Sequence, residues 1–144
     1  MDEHAVQIEA LRSTPFFGEL SDEDLEGILR VGKPVSFEVD QAIVEQGQPG
    51  DAMYIILEGT AEVDVGGRFH RLKRGDFFGE MALIASGKRM ATVKAVESVQ
   101  ALRIAVEDFQ SFVLAHPGVA LSMMKALVER LREVEQRIDA WMAN

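Results

Sequence analysis

The sequence predicts a mainly β fold, a β-roll or jelly-roll barrel of short strands flanked by helices. Short apolar runs separated by glycine and proline turns fill residues 33–104. Apolar residues at helical spacing precede that segment, and a long heptad pattern follows it. We therefore expect a single domain over residues 1–144, with N-terminal helices in 1–32, the barrel in 33–104 and C-terminal helices in 106–143.

The composition excludes several classes of function. The chain of 144 residues has 24 acidic and 15 basic residues, a formal net charge of −9, and no cysteine. An acidic chain is a poor binder of nucleic acid or of anionic membranes, since both attract lysine and arginine. Absent cysteine excludes disulfides, zinc–thiolate sites and cysteine nucleophiles. No apolar run approaches the ~18 residues of a membrane helix. We expect a cytoplasmic protein that binds no nucleic acid by this chain alone and no membrane.

Two helices are predicted before the barrel. Ala5, Ile8 and Leu11 recur at helical spacing in the first. Ser21 is typical of the residue that caps a helix start, because its hydroxyl accepts a hydrogen bond from a free backbone N–H. Gly32 is expected to end the second helix.

The middle of the chain reads as strands of two kinds. Residues 53–57, MYIIL, form a continuous apolar run that is typical of a strand buried on both faces. Residues 60–65 alternate between apolar and acidic side chains, which predicts a strand with one exposed face. Gly66 and Gly67 then predict a tight two-residue hairpin turn.

One short helical stretch interrupts the strands. Phe78, Gly79 and Glu80 open the apolar segment 81–85, and Arg89 follows nine residues after the glutamate. A carboxylate and a guanidinium on one compact unit suit a ligand with both a hydroxyl and a negative charge. A nucleotide with a ribose and a phosphate is such a ligand.

The C-terminal part is predicted to be two helices. The first, residues 106–115, ends at His116-Pro117-Gly118. The second carries a heptad seam at 3-4-3-4-3 spacing: Met124, Leu127, Leu131, Val134, Ile138 and Trp141. Three interpretations are open: the seam packs on the chain's own barrel, forms a homodimer through the 124–141 helix, or closes as a lid over a bound ligand.

Two stretches of the chain resemble the cyclic nucleotide-binding domain family, in its catabolite-activator and protein kinase A regulatory-subunit types. The first, GQPGDAMYIILEG, is similar to the family's glycine turn and following strand. The second, FGEMALIASGKRMATV, is similar to its phosphate-binding cassette. The resemblance covers residues 11–138. It implies a sensor or regulatory domain without catalytic activity, which couples a cyclic nucleotide to movement of its C-terminal helices.

The resemblance also implies the site. The cassette spans residues 78–93, and its ligand-binding residues are Phe78, Gly79, Glu80, Met81, Ala82, Arg89, Met90 and Ala91. In the family, Gly79 lets the backbone approach closely and Glu80 accepts from the ribose 2′-hydroxyl. Ala82 donates its N–H to the ligand, and Arg89 pairs with the phosphate oxygens.

The departures from the family pattern concern specificity. Lys88 stands where proline is frequent, and Met90 stands where relatives that prefer cGMP often have a hydroxyl residue. Methionine cannot donate a hydrogen bond to guanine. We therefore expect cAMP rather than cGMP as the ligand, and no cofactor. Residues 133–135 offer no hydroxyl for the adenine contact that the transcription-regulator branch makes.

Nothing in the sequence predicts an enzyme or a metal site. The three histidines, His4, His70 and His116, have no metal-ligand spacing, and no nucleophile–base arrangement is visible. Six residues after Ile138 are too few for a helix-turn-helix. The alternative function is a ligand-free barrel that acts as a dimerisation scaffold through the heptad helix.

Overall fold

The computed structural model describes residues 2–14, 17–79, 82 and 87–143. The chain forms four helices and eight strands within these residues. The helices are α1 Glu3–Arg12, α2 Asp22–Val31, α3 Val106–Ala115 and α4 Pro117–Ala143. The strands are β1 Lys33–Phe37, β2 Ala42–Val44, β3 Ala52–Glu58, β4 Ala61–Val65, β5 Arg68–Leu72, β6 Phe77–Phe78, β7 Thr92–Ala95 and β8 Val99–Ala105.

The strands form two antiparallel four-stranded sheets. One has the order β1-β8-β3-β6 and the other β2-β7-β4-β5. A single cluster of buried side chains joins their inner faces, with members from both sheets that include Tyr54, Ile56, Val63, Val93 and Ala101. The predicted fold class, a β-roll with flanking helices and a long C-terminal helix, is confirmed.

Strand β3 separates the two cores of the molecule. Its alternate residues Met53, Ile55 and Leu57 pack with the helices on the outside of the first sheet. Ala52, Tyr54 and Ile56 point into the roll. The prediction of a strand buried on both faces is confirmed, because this strand lies between the helices and the second sheet.

Local chemistry explains where the predicted elements begin and turn. The Ser21 hydroxyl accepts from the Asp24 backbone N–H at 3.2 Å and caps α2, as predicted. Gly66 and Gly67 have φ of 59° and 88°, and Val65 pairs with Arg68, which confirms the tight hairpin between β4 and β5. The start of α1 is capped by the side chain of Asp2.

The last helix packs only at its beginning. Val119 and Met123 are buried against the helical core. The seam residues Met124, Leu127, Leu131, Val134, Ile138 and Trp141 are between 37% and 79% exposed. The interpretation in which this seam packs on the chain's own barrel is therefore wrong. The dimer and the lid stay predictions.

Candidate functional site

The cassette is fastened to the predicted glycine turn by backbone hydrogen bonds. The N–H of Arg89 donates to the carbonyl of Gln48 at 2.7 Å, and the Arg89 carbonyl accepts from the N–H of Gly47 at 2.9 Å. A third bond runs from the Gly50 N–H to the Gly87 carbonyl at 2.9 Å. The two stretches identified separately in the sequence thus form one unit, and the turn fixes the backbone of Arg89.

The side chain of Arg89 is buried. It is 8% exposed, and its Nη2 donates to the carbonyl of Ala52 at 2.7 Å. The same nitrogen lies 3.5 Å from Oδ1 of Asp51. A buried guanidinium is costly unless its charge is balanced, and a 3.5 Å contact balances it weakly. Among the described residues, Asp51 is thus the one carboxylate beside Arg89, and it lies at the limit of hydrogen-bond distance.

Gly79 makes room for that guanidinium. Its φ of 81° lies in the left-handed region that side chains rarely adopt. A Cβ atom added there would lie 2.8 Å from the carbonyl oxygen of Ala52 and would collide with Nη1 of Arg89. Glycine is required at this position both by its backbone conformation and by the close approach of Arg89.

The other predicted cassette residues differ in where the structure places them. The Ala82 N–H donates to the Gly79 carbonyl at 3.1 Å, so a ligand contact through this N–H has to share or replace that bond. Glu80 and Met81 lie outside the described residues, and their roles stay predictions. Ala91 packs against the interior of the roll, whereas Met90 is 73% exposed.

Phe78 belongs to the interior of the roll. Its ring stacks on Tyr54 with centroids 5.1 Å apart and planes 12° from parallel. Both residues are buried in the cluster between the sheets. The ring thus anchors the strand that leads into Gly79, and its side chain is engaged in packing.

Two charged residues that the sequence did not single out complete the site. The carboxylate of Asp51 lies between two guanidinium groups, with Oδ1 towards Arg89 and Oδ2 at 3.2 Å from Nη2 of Arg103. Asp51 directly follows the Gly50 turn, and this position in the sequence could have marked it as a candidate site residue. Arg103 occupies the position on β8 after Val99 and Ala101 that faces into the roll, a pattern break that alternation along a strand could have revealed.

The charge of Arg103 is secure. Partial burial lowers its pKa, but interactions with the Tyr54 hydroxyl and with the carboxylate of Asp51 outweigh burial. The net effect raises the pKa of Arg103 above its ordinary value. The described part of the site thus brings together the side chains of Arg89, Arg103 and Asp51.

The arrangement suits non-covalent binding of an anion. Buried or half-buried arginines beside a glycine backbone are typical of phosphate recognition. Among the residues that the structure describes, no three His, Asp or Glu side chains come together to hold a metal ion.

A backbone hydrogen bond links the site to the C-terminal helices. The N–H of Val106, the first residue of α3, donates to the carbonyl of Asp51 at 3.0 Å. The first residue of α3 is therefore hydrogen-bonded to Asp51, the residue whose side chain lies beside Arg89. This main-chain bond connects the residue that follows the glycine turn to the first residue of α3.

An apolar cavity of about 440 Å³ lies between α3 and α4. Its lining includes Phe109, Val113, Leu114, Met123 and Leu127, and none of its residues belongs to the cassette. In the described part of the chain no single helix is long and apolar enough to cross a membrane, although α3 and α4, bent by 111°, satisfy length and composition as a pair.

Comparison with known proteins identifies a family that the chain matches. The model of the family described as "Cyclic nucleotide-binding domain" matches residues 34–116. A cyclic nucleotide-gated potassium channel from Rhizobium etli is 35% identical over 118 residues, which are 82% of this chain and 33% of the channel. The cyclic AMP receptor protein of Thermus thermophilus is 29% identical over 135 residues, 90% of this chain and 62% of that protein.

A solved structure shares the fold over most of the chain. The N-terminal domain of a transcriptional regulator from Streptomyces coelicolor A3(2) superposes with a TM-score of 0.80 at 27% identity, covering 90% of this chain and 94% of that one. The chain spans about a third of the length of the channel relative and less than two thirds of the receptor relative.

Proposed function

Because the chain belongs to the cyclic nucleotide-binding domain family, we propose that it binds a cyclic nucleotide, cAMP in preference to cGMP, as a non-catalytic sensor domain. The observation that carries the proposal is the buried guanidinium of Arg89, held against Gly79 by the glycine turn. A charged group buried beside a glycine backbone is the arrangement that a phosphate needs.

The contacts of Arg89 support a ligand role over a purely structural one. A structural arginine is typically paired with a carboxylate through two short parallel hydrogen bonds. Within the described residues, the carboxylate contact of Arg89 is a single one at 3.5 Å, and its short bond goes to a backbone carbonyl. The cyclic phosphate would supply a further anionic partner, while Glu80 would accept from the ribose hydroxyl as the family resemblance implies.

The preference for cAMP rests on Met90 and on one relative. Met90 offers no hydroxyl for guanine, and its side chain is exposed. A similar protein from Thermus thermophilus carries the name cyclic AMP receptor protein. In this proposal the lack of a hydroxyl at position 90 favours adenine over guanine.

Ligand binding is coupled to the C-terminal helices in this proposal. A phosphate that binds Arg89 competes with the Asp51 carboxylate for the guanidinium. The backbone carbonyl of Asp51 in turn accepts a hydrogen bond from the first residue of α3. Helix α3 then follows the turn, and α4 re-seats with it. Such a switch requires that the ligand bind one helix position more tightly than the other.

The alternative function is a dimerisation scaffold that binds no nucleotide. The exposed seam of α4 favours this candidate, since large apolar side chains repeated at heptad spacing are typical of a coiled-coil interface. The two functions are compatible if a nucleotide sensor also dimerises through α4.

Calorimetric titration with cAMP and cGMP tests the proposal. We expect saturable binding of cAMP, weaker binding of cGMP, and a loss of about 2–5 kcal/mol of cAMP affinity in Arg89→Ala. The matched control is Arg68→Ala on the exposed strand β5, which should bind as the unmodified chain does. No heat and no thermal stabilisation with either nucleotide would leave the scaffold as the function.

A further inference from the structure

The carboxylate of Asp51 is shared between two cations of unequal burial. Its Oδ1 lies 3.5 Å from Nη2 of Arg89, which is 8% exposed, and its Oδ2 lies 3.2 Å from Nη2 of Arg103, which is 29% exposed. The Asp51 side chain itself is 68% exposed, so an incoming ligand can reach it. The shorter contact is the one to Arg103.

Asp51 is a competitor of any anion that binds Arg89. A carboxylate beside the phosphate-binding guanidinium both repels a phosphate and occupies donors that the phosphate needs. Arg103 supplies a second guanidinium beside this carboxylate and so offsets its negative charge.

The fold holds Arg103 in place for this task. Arg103 pairs in register with Tyr54 across β8 and β3, and the two side chains interact. The Tyr54 ring is itself fixed by stacking on Phe78 and by an edge contact with Phe37. A group carried on a central strand and supported by packed neighbours is positioned more accurately than one on a loop.

We propose that Arg103 is a positioning residue of the nucleotide site, which holds the carboxylate of Asp51 away from Arg89 and so keeps Arg89 free for the phosphate. The inference rests on the proposed function and adds to it a determinant of affinity. Arg103 acts here through Asp51, without touching the ligand. Its effect should therefore depend on whether Asp51 carries a charge.

A double-mutant cycle measured by cAMP titration tests this dependence. Arg103→Gln should weaken cAMP binding about fivefold, the effect of ~1 kcal/mol expected for a partly exposed charge pair. Arg103→Lys keeps the charge and should stay within about twofold of the unmodified chain. Asp51→Asn should bind cAMP at least as tightly as the unmodified chain, because the competing charge is gone.

The deciding measurement is Arg103→Gln in the Asp51→Asn background. The loss seen in the unmodified background should fall there to about twofold or less. Arg68→Gln on the exposed strand β5 removes one positive charge elsewhere and controls for net charge. An equal loss in both backgrounds, or no loss in either, overturns the proposal.

Two further outcomes keep the proposal separate from the proposed function. If Arg89→Ala abolishes binding while Arg103→Gln leaves it unchanged, the nucleotide site stands and the role of Arg103 is wrong. If the unmodified chain binds neither cAMP nor cGMP, both are wrong. Should Arg103→Gln fail to fold by circular dichroism, Asp51→Asn decides, since weaker binding than that of the unmodified chain contradicts competition by Asp51.

Discussion

Strand β3 and helix α4 both carry many apolar residues, but those of β3 are buried and those of the α4 seam are exposed. In β3 every residue from Ala52 to Leu57 is buried, whereas the seam of α4 beyond Met123 is more than a third exposed throughout. The strand has its packing partners within the chain, in the helices on one side and the second sheet on the other. The described part of the chain contains no equivalent cover for the helix.

In the proposed function, the buried roll holds the ligand and the exposed helix α4 changes position or partner. Groups that must hold a ligand to within fractions of an ångström lie on the roll, where neighbours fix them. A helix that changes position or partner has to leave its apolar face available, and such elements come from the less stable parts of a fold. Substitutions in the roll should therefore alter stability or affinity, and substitutions in the seam should alter assembly.

The largest effect on stability is expected for Gly59→Ala, because Gly59 packs closely against the backbone of a neighbouring segment of the roll. Gly59 has φ of 88°, and an added Cβ would collide with the backbone of Ser98. Neither backbone segment can give way cheaply, so we expect a loss of about 3 kcal/mol in the free energy of unfolding, measured by urea denaturation.

Gly67→Ala is the matched control for that prediction. Gly67 has the same φ of 88°, but nothing lies within 4 Å of an added Cβ. Its loss should be about 1 kcal/mol, from backbone strain alone. Equal losses at the two glycines would show that the contact with Ser98 contributes nothing.

Gly79→Ala is expected to destabilise the fold somewhat less than Gly59→Ala and to weaken nucleotide binding strongly. The new methyl group meets the Ala52 carbonyl at 2.8 Å and displaces the guanidinium of Arg89. We expect about 2 kcal/mol of destabilisation and at least about tenfold weaker cAMP binding by calorimetry. Gly66→Ala, with φ of 59° and open space around it, should leave the affinity unchanged. Undiminished affinity in Gly79→Ala would remove this glycine from the site.

The smallest effect on stability is expected in the seam. Leu131→Glu replaces a leucine that is 59% exposed, so the free energy of unfolding should change by less than about 0.5 kcal/mol. If the seam is a dimer interface, sedimentation should show a shift from dimer to monomer. Glu133→Gln on the same helix serves as a control that keeps the seam intact. A large loss of stability in monomeric Leu131→Glu would mean that the helix packs on its own roll after all.

Features set by local periodicity and turn chemistry were predictable from the sequence. The doubly buried strand, the cap at Ser21 and the hairpin at Gly66-Gly67 each depend on residues close together in the chain. The glycine turn and the cassette were recognisable for the same reason, through short motifs whose glycines have few substitutes.

Contacts that depend on strand register were not predictable. Asp51 meets Arg103 only because β3 pairs with β8 in the register that sets Tyr54 opposite Arg103, across about fifty residues of chain. The sequence holds no local signal for that register. The exposure of the seam was equally open, because a heptad pattern fits a core, a lid or an interface.

The bond between the Val106 N–H and the Asp51 carbonyl has a consequence for how such a sensor can evolve. Both atoms belong to the main chain, so no side-chain exchange removes the bond except proline at position 106. In the proposed sensor, selection can therefore revise the ligand preference on one side and the output on the other without removing this bond.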